Sequence, residues 1–248
     1  MRDENEQLFQ RPLYGGTVDN LPTGLVPART VLEGTEIRLE PIDPAIHAND
    51  LYEASHTTDE GRAIWTYLPE GPWPDLESYT AHVRACAGSQ DRIFHALRPL
   101  PDGPACGQAS FMDIHPGNGV IEIGYIWFAP ALQRTRAATE AMYLMLDYAM
   151  TNLRYRRMQW RCNALNAKSR AAARRLGFRY EGTFYNHLIF KGLNRDTAWY
   201  SILDDEWPDV KERLEEWLSL KNFDSDGRAK QSLSQMMQSR PPSTRGRE

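Results

Sequence analysis

The segment Glu122–Thr139 has the composition of a strand, a short loop and a helix start that can bind an anion. The first N–H groups of a helix have no partner within the helix, and the helix dipole is positive at that end, so helix starts bind phosphate groups. Ala137 and Ala138 keep the side chains small there, and Arg134 and Arg136 add positive charge. An ordinary helix N-terminus with exposed arginines has the same composition, so the residue types alone leave both interpretations open.

A second basic region extends from Arg154 to Arg179. It contains nine basic residues and no acidic one, in a chain whose formal net charge is −4. A polyanionic ligand would account for this asymmetry, and a solvated basic helix face, which is common, is the alternative. Aromatic residues do not alternate with the basic ones as a base-stacking surface requires. The sequence therefore argues against nucleic acid as a partner.

Changes in hydrophobic period place these residues in a mixed α/β domain with a mainly antiparallel sheet flanked by helices. Alternating apolar and polar residues at 35–41 indicate a half-buried strand, and helical spacing indicates a helix over 136–151. Asp75 is expected to be a helix N-cap and Gly177 a helix C-cap. The other expected helices are 44–55, 75–87, 166–176 and 207–220, and the other expected strands are 92–97, 105–114, 120–128, 156–162, 180–190 and 197–203.

The composition excludes several classes of protein. The chain has 248 residues, 41% of them hydrophobic, which is enough to bury a core. It has no run of about 20 apolar residues, as a membrane helix requires, and its first residues resemble neither a signal peptide nor a transit peptide. Cys86, Cys106 and Cys162 are too few and too far apart for a disulfide framework or a zinc site. We therefore expect reduced thiols, no metal and a cytoplasmic location.

The two ends of the chain differ from its middle. Residues 1–34 contain Gly and Pro without periodicity and are interpreted as an extended N-terminal arm. Residues 224–248 are poor in large apolar groups, and the stretch from 225 carries five basic and two acidic residues. Such a segment buries too little surface to offset its ordering entropy, so we predict a disordered polar tail. The folded domain is accordingly predicted over 35–223.

Five short motifs occur in the order and spacing of a known family. Its strand E-I-G-Y-W and loop Q/R-x-x-G-x-G/A are similar to Glu122–Tyr125 and Gln133–Ala138. Its N-x-x-S, L-G-F-x-x-E-G and D-x-x-x-Y motifs are similar to Asn166–Ser169, Leu176–Gly182 and Asp196–Tyr200. The chain thus resembles the GNAT superfamily of acyl-CoA N-acyltransferases, in the RimJ/RimL-like branch of ribosomal-protein N-acetyltransferases. The resemblance covers about residues 35–205 and implies the GNAT fold.

The resemblance also implies direct transfer of an acetyl group from acetyl-CoA to an amine, without a metal. The family's loop lies over the coenzyme A pyrophosphate, and backbone N–H groups of the preceding strand face the thioester oxygen. One departure is Arg136, which stands where the family has a glycine that permits close backbone approach. An arginine there can instead place its guanidinium on phosphate. The residues implied to contact the cosubstrate are Ile126, Trp127, Phe128, Gln133, Arg134, Arg136, Ala137, Ala138, Thr139, Asn166 and Ser169.

Glu122, Ser169 and His187 are the candidate catalytic residues. The Glu122 carboxylate can accept the amine proton, and a period of two places it on the same face as Gly124 and Ile126; an ion pair with an arginine is the alternative. Ser169 resembles the family serine that can protonate the thiolate, although a helix serine bonded to backbone is common. A histidine can deprotonate an ammonium near neutral pH, but a lone surface histidine is the commoner case for His187.

The sequence does not identify the acceptor, because one fold and cofactor site serve many acceptors. We expect a small-molecule amine or a peptide or protein N-terminus, and either a monomer or a homodimer. The alternatives are an acyltransferase specific for an amino acid, aminoglycoside or secondary-metabolite amine, and a non-catalytic protein that binds coenzyme A or RNA. The acceptor loops are expected at Thr57–Pro74 and Tyr185–Arg195, where acidic residues favour a cationic acceptor. Those acidic residues are Asp59, Glu60, Glu70 and Asp75, and Trp65, Trp73 and Trp127 either line the acceptor cleft or pack in the core.

Overall fold

The structure, a computed structural model, describes residues 17–18, 21 and 25–241. Its strands form one sheet of eight, in the order β1-β2-β3-β4-β5-β6-β8-β7. All neighbouring strands are antiparallel except β5 and β6, which are parallel. The strands are β1 (Leu32–Glu33), β2 (Ile37–Pro41), β3 (Ile93–Pro99), β4 (Gly107–His115), β5 (Val120–Phe128), β6 (Arg157–Asn163), β7 (Arg179–Phe190) and β8 (Leu193–Leu203). This arrangement confirms the predicted mixed α/β fold with a mainly antiparallel sheet.

Helices cover both faces of the sheet. Along β3, Ile93 and Leu97 belong to one buried cluster, whereas Phe94 and Ala96 belong to a second, and alternate residues of a strand point to opposite faces. The helices are α1 (Pro44–His56), α2 (Asp59–Ala63), α3 (Leu76–Gly88), α4 (Arg136–Asp147), α5 (Ala167–Arg175), α6 (Trp207–Leu218) and α7 (Leu233–Gln238). Helices α4 to α7 complete the first cluster, and α1 and α3 complete the second.

The predicted helix ends are formed by short polar side chains and glycine. Asp75 accepts the N–H of Ser78 at 2.8 Å and caps α3, as predicted. Gly177 follows α5 with φ of +94°, in the left-handed region that favours glycine at this position. The helix predicted over 136–151 ends at Asp147 as an α-helix and continues as one π-helical turn over Tyr148–Asn152.

The C-terminal segment differs from the sequence prediction. We predicted a disordered tail over 224–248, but the structure forms α7 within it and buries Leu233, Met236 and Met237 in the first cluster. Arg240 pairs with Asp209 at 2.9 Å. Three apolar residues change the composition of a polar segment too little to predict its burial, but their helical spacing places them on one face of α7. Residues 242–248 lie outside the described part of the chain.

The predicted N-terminal arm is described only in part, because residues 1–16, 19–20 and 22–24 are not among the described residues. Its last residues, Leu32–Glu33, form β1 and pair with β2. Residues 25–31 have no helix or strand, and the Leu25 carbonyl accepts the hydroxyl of Tyr155 at 2.5 Å. The segment 57–74, predicted as a loop, contains α2 and a 3-10 turn at Ile64–Tyr67.

A buried carboxylate fixes the turn between β1 and β2 against α4. Glu140 accepts the N–H and the hydroxyl of Thr35 at 2.9 and 2.7 Å and the N–H of Glu36 at 2.7 Å. We expect Glu140→Gln to lower the free energy of unfolding by about 2 kcal/mol. The amide nitrogen replaces one of the two carboxylate oxygens and cannot accept the backbone N–H that this oxygen binds. Urea unfolding beside the exposed control Glu77→Gln measures the loss. Equal stability of the two variants would contradict a structural role for this carboxylate.

Candidate active site

A cleft opens where β5 and β6 separate. The two strands pair only through Val120, Ile121 and Glu122 with Arg157, Met158 and Gln159, whereas β5 continues to Phe128 along β4 and β6 continues to Asn163 along β8. Both strands then line a cleft of about 350 Å³. Beyond Glu122, the β6-facing edge of β5 therefore has backbone groups that pair with no strand of the described residues.

A β-bulge in β5 changes which side chains face the cleft. Tyr125 has φ of +51°, and the pairing with β4 shifts between Gln108–Trp127 and Ser110–Gly124. Ile123 and Ile126 consequently pack on the same cluster, on the opposite face from Glu122. The predicted common face for Glu122, Gly124 and Ile126 is therefore wrong for Ile126, because the extra residue of the bulge reverses the alternation.

Glu122 is the buried carboxylate of this cleft. It is 2% exposed and forms an ion pair with Arg161, which also pairs with Asp113. Burial raises the pKa of Glu122 to about 7; the Arg161 charge opposes this rise and the Asp113 charge adds to it. The ion pair that the sequence offered as the alternative to catalysis is thus present. A carboxylate with this pKa can also exchange a proton at neutral pH.

Ser169 and Asn166 line the cleft from the start of α5. Asn166 caps the helix, because its Oδ1 accepts the N–H of Ser169 at 3.0 Å. The Ser169 hydroxyl accepts the indole N–H of Trp160 at 3.0 Å, and this contact orients its oxygen toward β6. Burial raises the pKa of the neighbouring Cys162 thiol, and the hydrogen bond with Ser169 opposes this rise.

His187 reaches the cleft through a bulge in β7. The register with β8 shifts between Phe184 and Leu188, and Asn186 takes φ of +50° there, a conformation that asparagine tolerates well. The Asn186 N–H donates to Oδ1 of Asp196 at 2.7 Å. His187 lines the cleft, and its Nδ1 lies 3.0 Å from the hydroxyl of buried Thr197, which holds the ring in place.

The loop between β5 and α4 holds the predicted phosphate-binding residues outside this cleft. Gln133 Nε2 donates to the Phe128 carbonyl at 2.9 Å, and Arg134 is exposed with φ of +64°. Arg136 begins α4 and its φ is not positive, so glycine's freedom is not needed there. Its guanidinium contacts the Leu218 carbonyl and Glu36, each at 3.0 Å. The guanidinium is therefore engaged within the protein, and its contact with phosphate stays a prediction.

The first turn of α4 has both free and occupied groups. The Thr135 hydroxyl accepts the N–H of Ala138 at 3.0 Å, which leaves the N–H groups of Arg136 and Ala137 at the helix start. Thr139 is buried and its hydroxyl accepts Arg175 Nη1 at 3.0 Å. Thr139 therefore contributes to the helix packing rather than presenting its side chain at the loop.

Both predicted acceptor loops contribute to the cleft wall, but their acidic residues do not. Glu70 pairs with His82 at 3.1 Å, and Asp75 is the α3 cap. Trp65, Trp73 and Trp127 pack around the second cluster, so the core interpretation of the tryptophans is the one that the structure has. Arg92, Arg161 and Arg195 also line the cleft and were not among the predicted site residues, because only the strand register places them there.

The comparisons with known proteins agree with this geometry. The fold and the cleft between separated parallel strands define an acyltransferase-type scaffold, and the model of the Acetyltransferase (GNAT) domain family matches residues 36–179. The chain belongs to the GNAT acetyltransferase family, as the sequence motifs predicted. The relatives are consistent with the RimJ/RimL-like branch.

Three similar proteins illustrate this membership. A GCN5-related N-acetyltransferase structure from Brucella melitensis is 39% identical, with a TM-score of 0.86 over 89% of this chain and 100% of that one. YdaF of Bacillus subtilis strain 168, provisionally named a ribosomal N-acetyltransferase, is 34% identical over 45% of this chain and 61% of its own length. The N-acetyltransferase YnaD of the same strain is 29% identical over 61% of this chain and 86% of its own.

Within the described residues, no helix has the length and apolarity to cross a membrane.

Proposed function

We propose that this protein transfers an acetyl group from acetyl-CoA directly to the primary amine of a small molecule or of a peptide or protein N-terminus. The observation that supports it best is the position of Glu122. This carboxylate, with a pKa near 7, lies in a cleft beside the unpaired backbone of β5. The name of YdaF, a ribosomal N-acetyltransferase, favours a peptide or protein as the acceptor. A cytoplasmic location and a monomeric or homodimeric state are parts of the same proposal.

The proposed chemistry divides between three groups of the chain. Acetyl-CoA supplies an acetyl carbonyl activated by a thioester, and the amine forms the C–N bond while the C–S bond breaks. Ionised Glu122 accepts the proton that the amine loses. The backbone N–H groups of β5 between Ile126 and Phe128 polarise the carbonyl. The Ser169 hydroxyl donates a proton to the departing thiolate and takes one back from solvent, while Glu122 releases the amine proton to solvent, so that the products are the amide and the free thiol of coenzyme A and both side chains return to their starting states.

His187 is the second candidate for the base. It lies in the same cleft and is held through Thr197. Glu122 is preferred because it is buried beside the point where β5 loses its partner, whereas His187 lies on the outer hairpin. Acetylation by a His187→Gln variant at a rate within about threefold of the unchanged protein would support this preference.

Binding of acetyl-CoA tests the proposal first. We expect the unchanged protein to bind acetyl-CoA in the micromolar range by calorimetry. Arg136→Gly should bind with similar affinity, because the backbone at Arg136 already has helical geometry and its side chain is held by Leu218 and Glu36. Absence of binding by the unchanged protein, with recovery in Arg136→Gly, would mean that the loop has lost its function and would overturn the proposal.

A charge reversal at Arg134 separates phosphate binding from folding. Asp tolerates the positive φ of this position, so the fold should be retained in Arg134→Asp. We expect acetyl-CoA affinity to fall about tenfold, the loss of one charge-assisted phosphate contact. The matched control Arg84→Asp changes an exposed residue of α3 and should bind as the unchanged protein does. Equal affinity of both variants would remove Arg134 from the cosubstrate site.

A further inference from the structure

The cleft has more arginine than carboxylate among its lining residues. Arg92, Arg161 and Arg195 line it, and Glu122 is the sole acidic residue among the described residues that do so. The charge of Arg161 is matched by Glu122 and Asp113. The positive charges of Arg92 and Arg195 are therefore left facing the site where the acceptor is proposed to lie.

Arg195 has no counter-ion within the described part of the chain. Its Nε is buried without a hydrogen-bond partner, and its guanidinium lies 4.5 Å from the centre of the Phe190 ring. Burial lowers the pKa of this guanidinium, and the charges of Cys162 and Glu122 oppose that effect. Arg195 as a whole is half-buried, and a cation partly withdrawn from water without an adjacent anion is stabilised when a ligand supplies the missing charge. The position therefore favours an anionic ligand group.

Arg92 is oriented but only weakly neutralised. Its Nη1 donates to the Tyr125 hydroxyl at 3.1 Å, and the guanidinium lies 4.8 Å from the centre of that ring. The carboxylate nearest to it belongs to Asp91, which is mostly exposed, at 3.6 Å. Tyr125 is the residue of the β5 bulge, so the same bulge that turns the strand also positions this second cation beside the cleft.

We propose that the acceptor carries a carboxylate close to its primary amine, and that Arg195 binds this carboxylate. The guanidinium of arginine is planar and matches a carboxylate with two parallel N–H donors. The inference rests on the proposed function and adds the acceptor's chemical class to it. Glu122, the proposed base, lies in the same cleft, so the amine and the carboxylate of one molecule can engage both residues. The carboxylate belongs either to a free amino acid or to an acidic N-terminal residue of a peptide.

Phosphate of coenzyme A is the competing anion, and the geometry disfavours it. None of the loop residues 133–138 lines this cleft. Arg195 belongs to β8 and pairs with Leu188 of β7 across the hairpin, and both residues line the cleft. A ligand anion at Arg195 therefore belongs with the acceptor rather than with the pyrophosphate.

The experiment uses matched acceptors with the full-length protein. Free serine is compared with serinamide, and a tripeptide amide that begins with aspartate is compared with one that begins with asparagine. Thiol release gives kcat and KM, and calorimetry with coenzyme A present gives affinity. In one of the two pairs, we expect the compound with the carboxylate to have a kcat/KM about 10- to 100-fold higher than its amide counterpart. A preference for serine identifies a free amino acid as the acceptor, and a preference for the aspartate peptide identifies an acidic N-terminal residue.

Arg195→Gln should abolish that preference while the KM for acetyl-CoA stays unchanged, and Arg195→Lys should keep part of it. Arg84→Gln, an equal loss of charge on the exposed face of α3, should leave it intact. Two results would overturn the inference but not the proposed function. The first is equal kcat/KM of the unchanged protein for both members of each pair. The second is a higher KM for acetyl-CoA as the main effect of Arg195→Gln. If no acceptor is acetylated, the proposed function fails. The anion site at Arg195 would then still be supported if the carboxylate member of a pair binds more tightly and Arg195→Gln loses this difference. Equal binding of both members would contradict the anion site.

Discussion

Glu122→Gln is expected to lower kcat by about 10²- to 10⁴-fold, the usual contribution of a general base. Glutamine has nearly the same shape but cannot accept the amine proton. The side chain lies in the interior beside Arg161, so no solvent-exposed group can replace it at the same position. The affinity for acetyl-CoA should be unchanged, because the proposed cosubstrate contacts lie on β5 backbone and on the α4 loop. Steady-state kinetics and calorimetry measure these two effects separately.

The pH dependence follows from the same carboxylate. Burial raises the pKa of Glu122 to about 7, and a base works only when it is deprotonated. With the acceptor saturating, kcat should therefore rise with pH through about 7, and this step in the profile should be lost in Glu122→Gln. Glu77→Gln, on the exposed face of α3, is the matched control. A Glu122→Gln enzyme that keeps its rate, or a rise that disappears in His187→Gln instead, would exclude Glu122 as the base.

Leu233→Ala should be the most destabilising single truncation in the C-terminal segment. Leu233 is 1% exposed, and α7 packs against α5 and α6. Removing a fully buried leucine side chain costs about 3 kcal/mol, which lowers the Tm of a chain of this size by about 6–12 °C. Calorimetric melting of the purified variant measures the shift.

A leucine outside the core provides the control for this prediction. Leu220 is 73% exposed, so Leu220→Ala should melt within about 1–2 °C of the unchanged protein. A chain that ends at residue 224 should lose more stability than Leu233→Ala, because it also lacks Met236, Met237 and Arg240. If the shortened chain melts like the full-length protein, residues 225–241 are no part of the folded domain and the predicted disordered tail is right after all.

The site illustrates how far a strand pattern can be extrapolated. Period-two alternation places Glu122 correctly, because β5 is regular up to Gly124. One extra residue at Tyr125 then reverses the alternation, and no composition rule announces it, since tyrosine is an ordinary strand residue. The bulge has a tertiary cause: β5 must remain paired with β4 while it leaves β6. The position of Ile126 was therefore beyond the sequence argument.

The loop at Arg136 shows what local residue types leave open. The motif predicts a phosphate-binding loop there, and the missing glycine suggested altered phosphate geometry. The structure instead gives Arg136 ordinary helical backbone and binds its guanidinium to Leu218 and Glu36, which are 82 and 100 residues away in the chain. Contacts across such distances depend on the packing of α6 and β2 around α4, which local residue types do not encode.

The sequence by itself determined the family, the fold class and most helix and strand positions. These depend on local periodicity, capping residues and motif spacing, which act over a few neighbouring positions. Only the tertiary structure decided the face of each residue after the β5 bulge, the burial of α7 and the meeting of Arg92, Arg161 and Arg195 with Glu122. Each of these depends on which distant elements come into contact, and that choice is made by the packing of the whole chain around its sheet.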